Sequence, residues 1–215
     1  MKENVIKQII ENKIIAIIRG VDTQKIVSVA KALNDGGIKL IEVTFNQKDP
    51  SSFIETAKAI NLITENCPNV VVGAGTVLDT NQVDIAKNAG AKYIISPDSD
   101  EEVIRYTVKS GLVSIPGAYT PTEIKKAHNA GADFIKLFPC VNDAIGYLKA
   151  VKAPLSHVKF LAVGGVTIDN ASDFIKAGAV GVGVGGFLIN KEMIDNNDWE
   201  SLTKLAKEFA EKVNN

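Results

Sequence analysis

Eight short apolar runs, each followed by a longer amphipathic stretch, recur along almost the whole chain, and this alternation restricts the fold more than any other feature. The runs are Ile14 to Arg19, Lys39 to Phe45, Val70 to Thr76, Tyr93 to Pro97, Val113 to Ala118, Phe134 to Pro139, Lys159 to Gly165 and Ala179 to Gly186. Because they are apolar throughout, they read as strands buried on both faces, as in a parallel sheet covered by helices. Helical patterns follow, for example over Thr23 to Asp35, Ser51 to Glu65, Asp79 to Ala89 and Glu101 to Ser110. Gly36, Gly90, Gly111, Gly131 and Gly178 fall where left-handed helix caps are expected. About eight β-α units in 215 residues predict an α/β fold, a (β/α)8 TIM barrel. Met1 to Lys13, with Val5, Ile6, Ile9 and Ile10 at helical spacing, reads as an N-terminal amphipathic helix rather than a signal peptide. A doubly wound open sheet is the alternative, but eight evenly spaced units close more naturally than they stay open. No linker or low-complexity stretch breaks the series, so residues 1–215 read as a single domain.

The net charge of -1 and pI near 6.2 offer no strong field to nucleic acid or an anionic membrane, so neither is an expected partner. Two isolated cysteines, Cys67 and Cys140, are too few for a disulfide framework and suggest a reducing, cytoplasmic setting. The longest uncharged segment, Ala177 to Asn190, is glycine-broken and too short to span a bilayer.

Polar groups interrupt two of the apolar runs. Lys136 sits within Phe134-Ile135-Lys136-Leu137-Phe138-Pro139, where an ammonium loses hydration that its charged form needs. Its pKa is expected to fall, and a neutral amine attacks ketones. Glu42 interrupts Lys39-Leu40-Ile41-Glu42-Val43-Thr44-Phe45 in the same way. Strand periodicity puts Glu42 and Thr44 on one face, and Lys136 on a face with Phe134 and Phe138. Facing into a barrel, amine and carboxylate would meet across its top and provide the means for carbon chemistry through a Schiff base. A buried structural ion pair is the plainer reading of the same two residues.

Active sites of such barrels lie at the C-terminal ends of the strands. Arg19 at the first of these suits a substrate carboxylate, although a surface arginine would look the same. Thr76, which closes Gly73-Ala74-Gly75-Thr76, is expected to donate its hydroxyl to the same acid group; the segment lacks the spacing of a dinucleotide loop. Gly164-Gly165 and Gly185-Gly186 end the last two strands, where backbone N–H groups can hold a phosphate, or where glycines simply make tight corners. His128 and His157 are expected in a helix and a loop away from this rim, leaving a metal without its usual ligands; no metal or cofactor is expected. Cys140 has no apparent partner base and reads as a free buried thiol, and Trp199 as packing for the last helix.

Ile41-Glu42-Val43-Thr44-Phe45, Gly73-Ala74-Gly75-Thr76-Val77, Ile95-Ser96-Pro97, Ile115-Pro116-Gly117, Ile135-Lys136-Leu137-Phe138-Pro139 and Val163-Gly164-Gly165-Val166 occur in order. With these six motifs the chain resembles the bacterial 2-keto-3-deoxy-6-phosphogluconate (KDPG) and 4-hydroxy-2-oxoglutarate (KHG) aldolase family over nearly its whole length. The resemblance implies a homotrimeric class I aldolase with Lys136 as the Schiff-base lysine and Glu42 as general acid and base. It implies Arg19 and Thr76 at the pyruvyl carboxylate, Thr44, Pro97 and Phe138 around the pyruvyl pocket, and Gly164, Gly165, Gly185 and Gly186 at a phosphate. Many relatives have Pro-Thr where this chain has Ala162-Val163, and some have serine where Gly186 stands. The Ala-Val-Gly-Gly-Val segment and the Ile-Arg-Gly first strand are similar to the galactonate-pathway branch, whose substrate is the C4 epimer, KDPGal. The expected substrate is a small 2-oxo acid, phosphorylated in the leading reading. A non-covalent phosphosugar isomerase or synthase and a metabolite-binding barrel without turnover are the rival functions.

Overall fold

The computed structural model describes residues 2–214; Met1 of the expected first helix and Asn215 at the end of the expected domain lie outside the described residues. Helix α1 (Lys2–Asn12) leads into strand β1 (Ile14–Ile18), followed by α2 (Ile26–Asp35), β2 (Leu40–Thr44), α3 (Phe53–Asn66) and β3 (Val71–Gly75). Next come α4 (Thr80–Asn88), β4 (Tyr93–Ile95), α5 (Glu101–Lys109), β5 (Val113–Ile115), β6 (Gly117–Ala118) and α6 (Pro121–Asn129). The chain continues through β7 (Ile135–Leu137), α7 (Ala144–Lys152), β8 (Phe160–Val163), α8 (Ala171–Lys176) and β9 (Gly181–Val184), and finishes with α9 (Lys191–Asp195) and α10 (Trp199–Asn214). Every strand pairing is parallel, in the order β5-β4-β3-β2-β1-β9-β8-β7-β6.

The two ends of that order, β5 and β6, are one run of chain interrupted at Pro116. The break does not open the sheet: Ser96 N donates to Ile115 O on one side, while Lys136 N donates to Pro116 O (2.9 Å) and Phe138 N to Ala118 O on the other. The sheet therefore closes into a barrel of eight strand runs wrapped by helices, and the open-sheet alternative is excluded.

Side chains alternate across this wall. One face packs on the helices: Ile41, Val43, Ile135 and Leu137 belong to the large outer core. The other fills the barrel, where Ile15, Leu40, Tyr93, Ile95, Val113, Ile115, Phe134 and Leu161 form a separate cluster. Val5 and Ile9 of α1 join that inner cluster, so the N-terminal helix stoppers the end of the barrel where the strands begin. An ion pair from Lys2 Nζ to Asp133 Oδ2 (2.9 Å) holds its start, and burying Val5 and Ile9 stabilises the plug by about 1.5–3 kcal/mol per side chain.

Gly90, Gly111, Gly131 and Gly178 take the left-handed conformation expected after α4, α5, α6 and α8. After α2 that role falls to Gly37 (φ 94°), not Gly36 (φ -77°). Gly36 is needed for closeness: a Cβ there would lie 2.5 Å from Ala206 Cβ and 2.6 Å from Thr203 O on α10. Trp199 is half-buried against the outer core and borders a surface groove shared with α2. No helix among the described residues is long and apolar enough to cross a membrane.

Candidate active site

Glu42 shares its strand face with Leu40, two residues earlier, and so points into the barrel. What makes room for its carboxylate is the neighbouring strand. Glu42 pairs with Gly73 and Thr44 with Gly75 in register, and a Cβ on Gly75 would lie 2.6 Å from Cγ of Glu42 and overlap its carboxyl group. Gly73 is needed for the same reason one step lower, where a Cβ would collide with the ring of Tyr93. Lys136, two residues after the inward Phe134, enters the same interior from β7. Its Nζ lies 4.6 Å from the centroid of the Phe138 ring.

Both ionisable groups are almost wholly buried, Glu42 at 2% exposure and Lys136 at 6%. Burial holds the Lys136 pKa below its ordinary value; the Glu42 carboxylate opposes the shift and the Arg19 guanidinium adds to it. Burial likewise raises Glu42, with Lys136 and Arg19 drawing it back down. Among the described residues, Glu42 Oε2 has no hydrogen-bond partner, nor do the buried Thr44 Oγ1 and Tyr93 hydroxyl. An uncommitted carboxyl group whose proton is held more firmly than usual and an amine that gives up its proton more readily than usual are what proton transfer and nucleophilic attack require.

The remaining rim residues lie just past the ends of the strands, because the strands are shorter than the apolar runs. Arg19 follows β1 and donates from Nη2 to Thr76 Oγ1 at 3.3 Å. Thr76, directly after β3, adopts φ 56°. Pro97 follows β4, and its carbonyl packs where a side chain on Gly117 would be. Phe138 follows β7, and its ring is 3.3 Å from where a Cβ on Gly164 would sit. Gly164 (φ 89°) and Gly165 (φ 77°) turn sharply after β8, and Asn170 ties that turn by donating to Gly165 O and accepting from Thr167 N. Gly185 and Gly186 follow β9, where Gly185 O accepts from Leu188 N and Ile189 N and Gly186 faces open space. Since β8 and β9 are hydrogen-bonded neighbours, the two glycine pairs share one sector of the rim. Val163 turns inward there, 2.9 Å from the position of a Cβ on Gly183.

His128 and His157 lie together elsewhere, ring centroids 4.9 Å apart, on α6 and the turn after α7. Cys140 is buried, its Sγ donating to Leu137 O, and burial pushes its thiol up to about 11. Three residues near the site were not anticipated from the sequence: Tyr93 beneath Glu42, and the amides Gln47 and Gln82. Gln82 carried a readable signal, since it occupies the same helical stripe as the buried Ala86 and Ala89.

The family model described as "KDPG and KHG aldolase" matches residues 5–205 of this chain. A probable 2-dehydro-3-deoxy-6-phosphogalactonate aldolase of Rhizobium meliloti is 35% identical over 184 residues, 85% of this chain and 84% of that protein. The KHG/KDPG aldolase of Escherichia coli is 32% identical over 186 residues, 86% of this chain and 84% of that protein. Among solved structures, a KDPG aldolase from Legionella pneumophila, with pyruvate captured at low pH as a covalent carbinolamine intermediate, superposes with a TM-score of 0.84 at 28% identity, covering 96% of this chain and 97% of that one.

Proposed function

Because this chain belongs to the KDPG and KHG aldolase family, we propose that Lys136 is the amine through which it cleaves 2-keto-3-deoxy-6-phosphogluconate to pyruvate and glyceraldehyde 3-phosphate. The enzyme is a class I aldolase, and 4-hydroxy-2-oxoglutarate, giving pyruvate and glyoxylate, belongs to the same reaction class. The observation that carries the assignment is the placement of Lys136 and Glu42 on one interior, both desolvated and each shifted toward its neutral form.

Neutral Lys136 adds to the C2 ketone, and the carbinolamine hydroxyl, taking a proton from solvent, leaves as water to give an iminium that withdraws electrons from the C3–C4 bond. Glu42 takes the proton of the C4 hydroxyl as that bond breaks and the aldehyde leaves. The same carboxyl returns its proton to C3 of the enamine, and water then releases pyruvate and frees the lysine. Arg19 and Thr76 hold the carboxylate of the substrate. Phe138, Pro97 and Thr44 wall the pyruvyl end, and the backbone at Gly164, Gly165, Gly185 and Gly186 receives the phosphate. No cofactor or metal enters these steps.

One observation favours a second substrate, the C4 epimer 2-keto-3-deoxy-6-phosphogalactonate. Val163 places hydrocarbon on the rim where many relatives offer a threonine hydroxyl, and the Rhizobium relative is named for that epimer. A cytoplasmic homotrimer belongs to the same reading, supported by the family resemblance and by the free, buried thiols Cys67 and Cys140. The test is kcat/KM for KDPG, its epimer and KHG, measured side by side. Pyruvate release from the phosphorylated acids supports the assignment; isomerase activity without cleavage, or saturable binding without turnover, replaces it with one of the rivals.

A further inference from the structure

Thr76 holds a conformation that β-branched residues rarely adopt, with φ 56°, at the point where its hydroxyl meets the Arg19 guanidinium. Two amides hold it there. Gln47 Nε2, from the loop after β2, donates to Thr76 O at 2.5 Å. Gln47 Oε1 accepts from Gln82 Nε2 at 3.0 Å. Gln82 Oε1 accepts from Leu78 N at 2.6 Å, and Gln82 is wholly buried at the start of α4. The polarity of this chain is fixed by its backbone ends, since an N–H can only donate and a carbonyl can only accept. Only a residue that carries both a donor and an acceptor fits either link, so a glutamate of identical shape would break it.

We propose that Gln82 and Gln47 are positioning residues for substrate binding: their relay locks Thr76 in its left-handed conformation, keeping its hydroxyl beside Arg19 as a ready-made receptor for the substrate carboxylate. This rests on the functional reading above. Gln47 comes from the loop that follows the Glu42 strand, so the relay also ties the carboxylate receptor to the strand that bears the acid-base group. The relay touches neither the reacting carbon nor Lys136, and its removal acts on binding rather than on the chemical step.

The experiment is borohydride trapping of pyruvate on Lys136, titrated with pyruvate, together with KM and kcat for cleavage of KDPG or whichever tested acid turns over. The proteins are wild type, Gln47→Leu, Gln47→Glu, Gln82→Leu, Thr76→Ala, and Gln47→Leu in the Thr76→Ala background. Each single Gln variant is expected to raise KM and the half-saturating pyruvate concentration roughly three- to tenfold, the range for one lost hydrogen bond, with kcat within about twofold. In the Thr76→Ala background, Gln47→Leu is expected to add nothing further, because the hydroxyl it positions is gone. Gln47 is exposed, so its variants carry the test even where Gln82→Leu fails to fold. Unchanged half-saturation in Gln47→Leu, an undiminished effect in the Thr76→Ala background, or a loss confined to kcat would overturn the relay while leaving the aldolase reading intact. No trapping in the wild-type protein would overturn that reading, and the relay's role with it.

Discussion

The Glu42 carboxyl group occupies the space that a side chain on Gly75 would fill, with Cγ 2.6 Å from the position of a Cβ there. Gly75 is not in the left-handed region, so volume alone, and not backbone strain, forbids a larger residue. Gly75→Ala is therefore expected to fold and to push Glu42 off its position. Cleavage should fall roughly 10²- to 10⁴-fold, the contribution of a well-placed acid-base group, with circular dichroism unchanged. Activity within about twofold of wild type would mean that Glu42 is not held by this fit.

Glu42→Gln keeps the shape of the side chain and removes its proton chemistry. The variant is expected to form the imine with pyruvate, seen as borohydride-dependent mass, while steady-state cleavage drops by a similar factor. Loss of imine formation together with turnover would move the role of Glu42 from proton transfer to the folding of the site.

The buried amine has a signature in stability as well as in rate. The folded protein releases the Lys136 proton at a lower pH than the unfolded chain, whose lysine keeps it up to an ordinary value of 10.5. Across that window the unfolded state binds more protons, so this group makes the wild-type protein more stable as pH rises. Lys136→Met removes the penalty of a buried ammonium, which is present in full below the folded pKa. It also deprives Glu42 of a counter-charge, a cost confined to the pH range in which Glu42 is ionised and Lys136 still carries its proton. The first effect sets the trend: Lys136→Met is expected to melt above wild type at mildly acidic pH, with the gap narrowing as pH rises toward the folded Lys136 pKa. A gap that widens with pH would contradict the electrostatic account.

Much of this was legible in the residues. Lys136 and Glu42 stood out because charge inside an apolar strand needs a reason, and barrel topology then gave the two side chains one interior to share. Strand limits were less legible: the residues that close each run, such as Arg19, Thr76 and Pro97, continue its composition but bend away into the rim. The closeness that demands Gly36, Gly73 and Gly75 depends on partners far along the chain, Thr203 and Ala206, Tyr93, and Glu42, so no local pattern reveals it. Gln47 was hidden for the same reason, since a polar residue in a loop looks solvated until its partner Gln82 is placed beside it.

The central claim is a covalent one, and mass spectrometry of the protein reduced with borohydride in the presence of pyruvate tests it most directly. The account predicts a single reduced pyruvyl adduct on the peptide containing Lys136, and none in Lys136→Ala. An adduct on any other lysine, or cleavage activity that survives in Lys136→Ala, would contradict it.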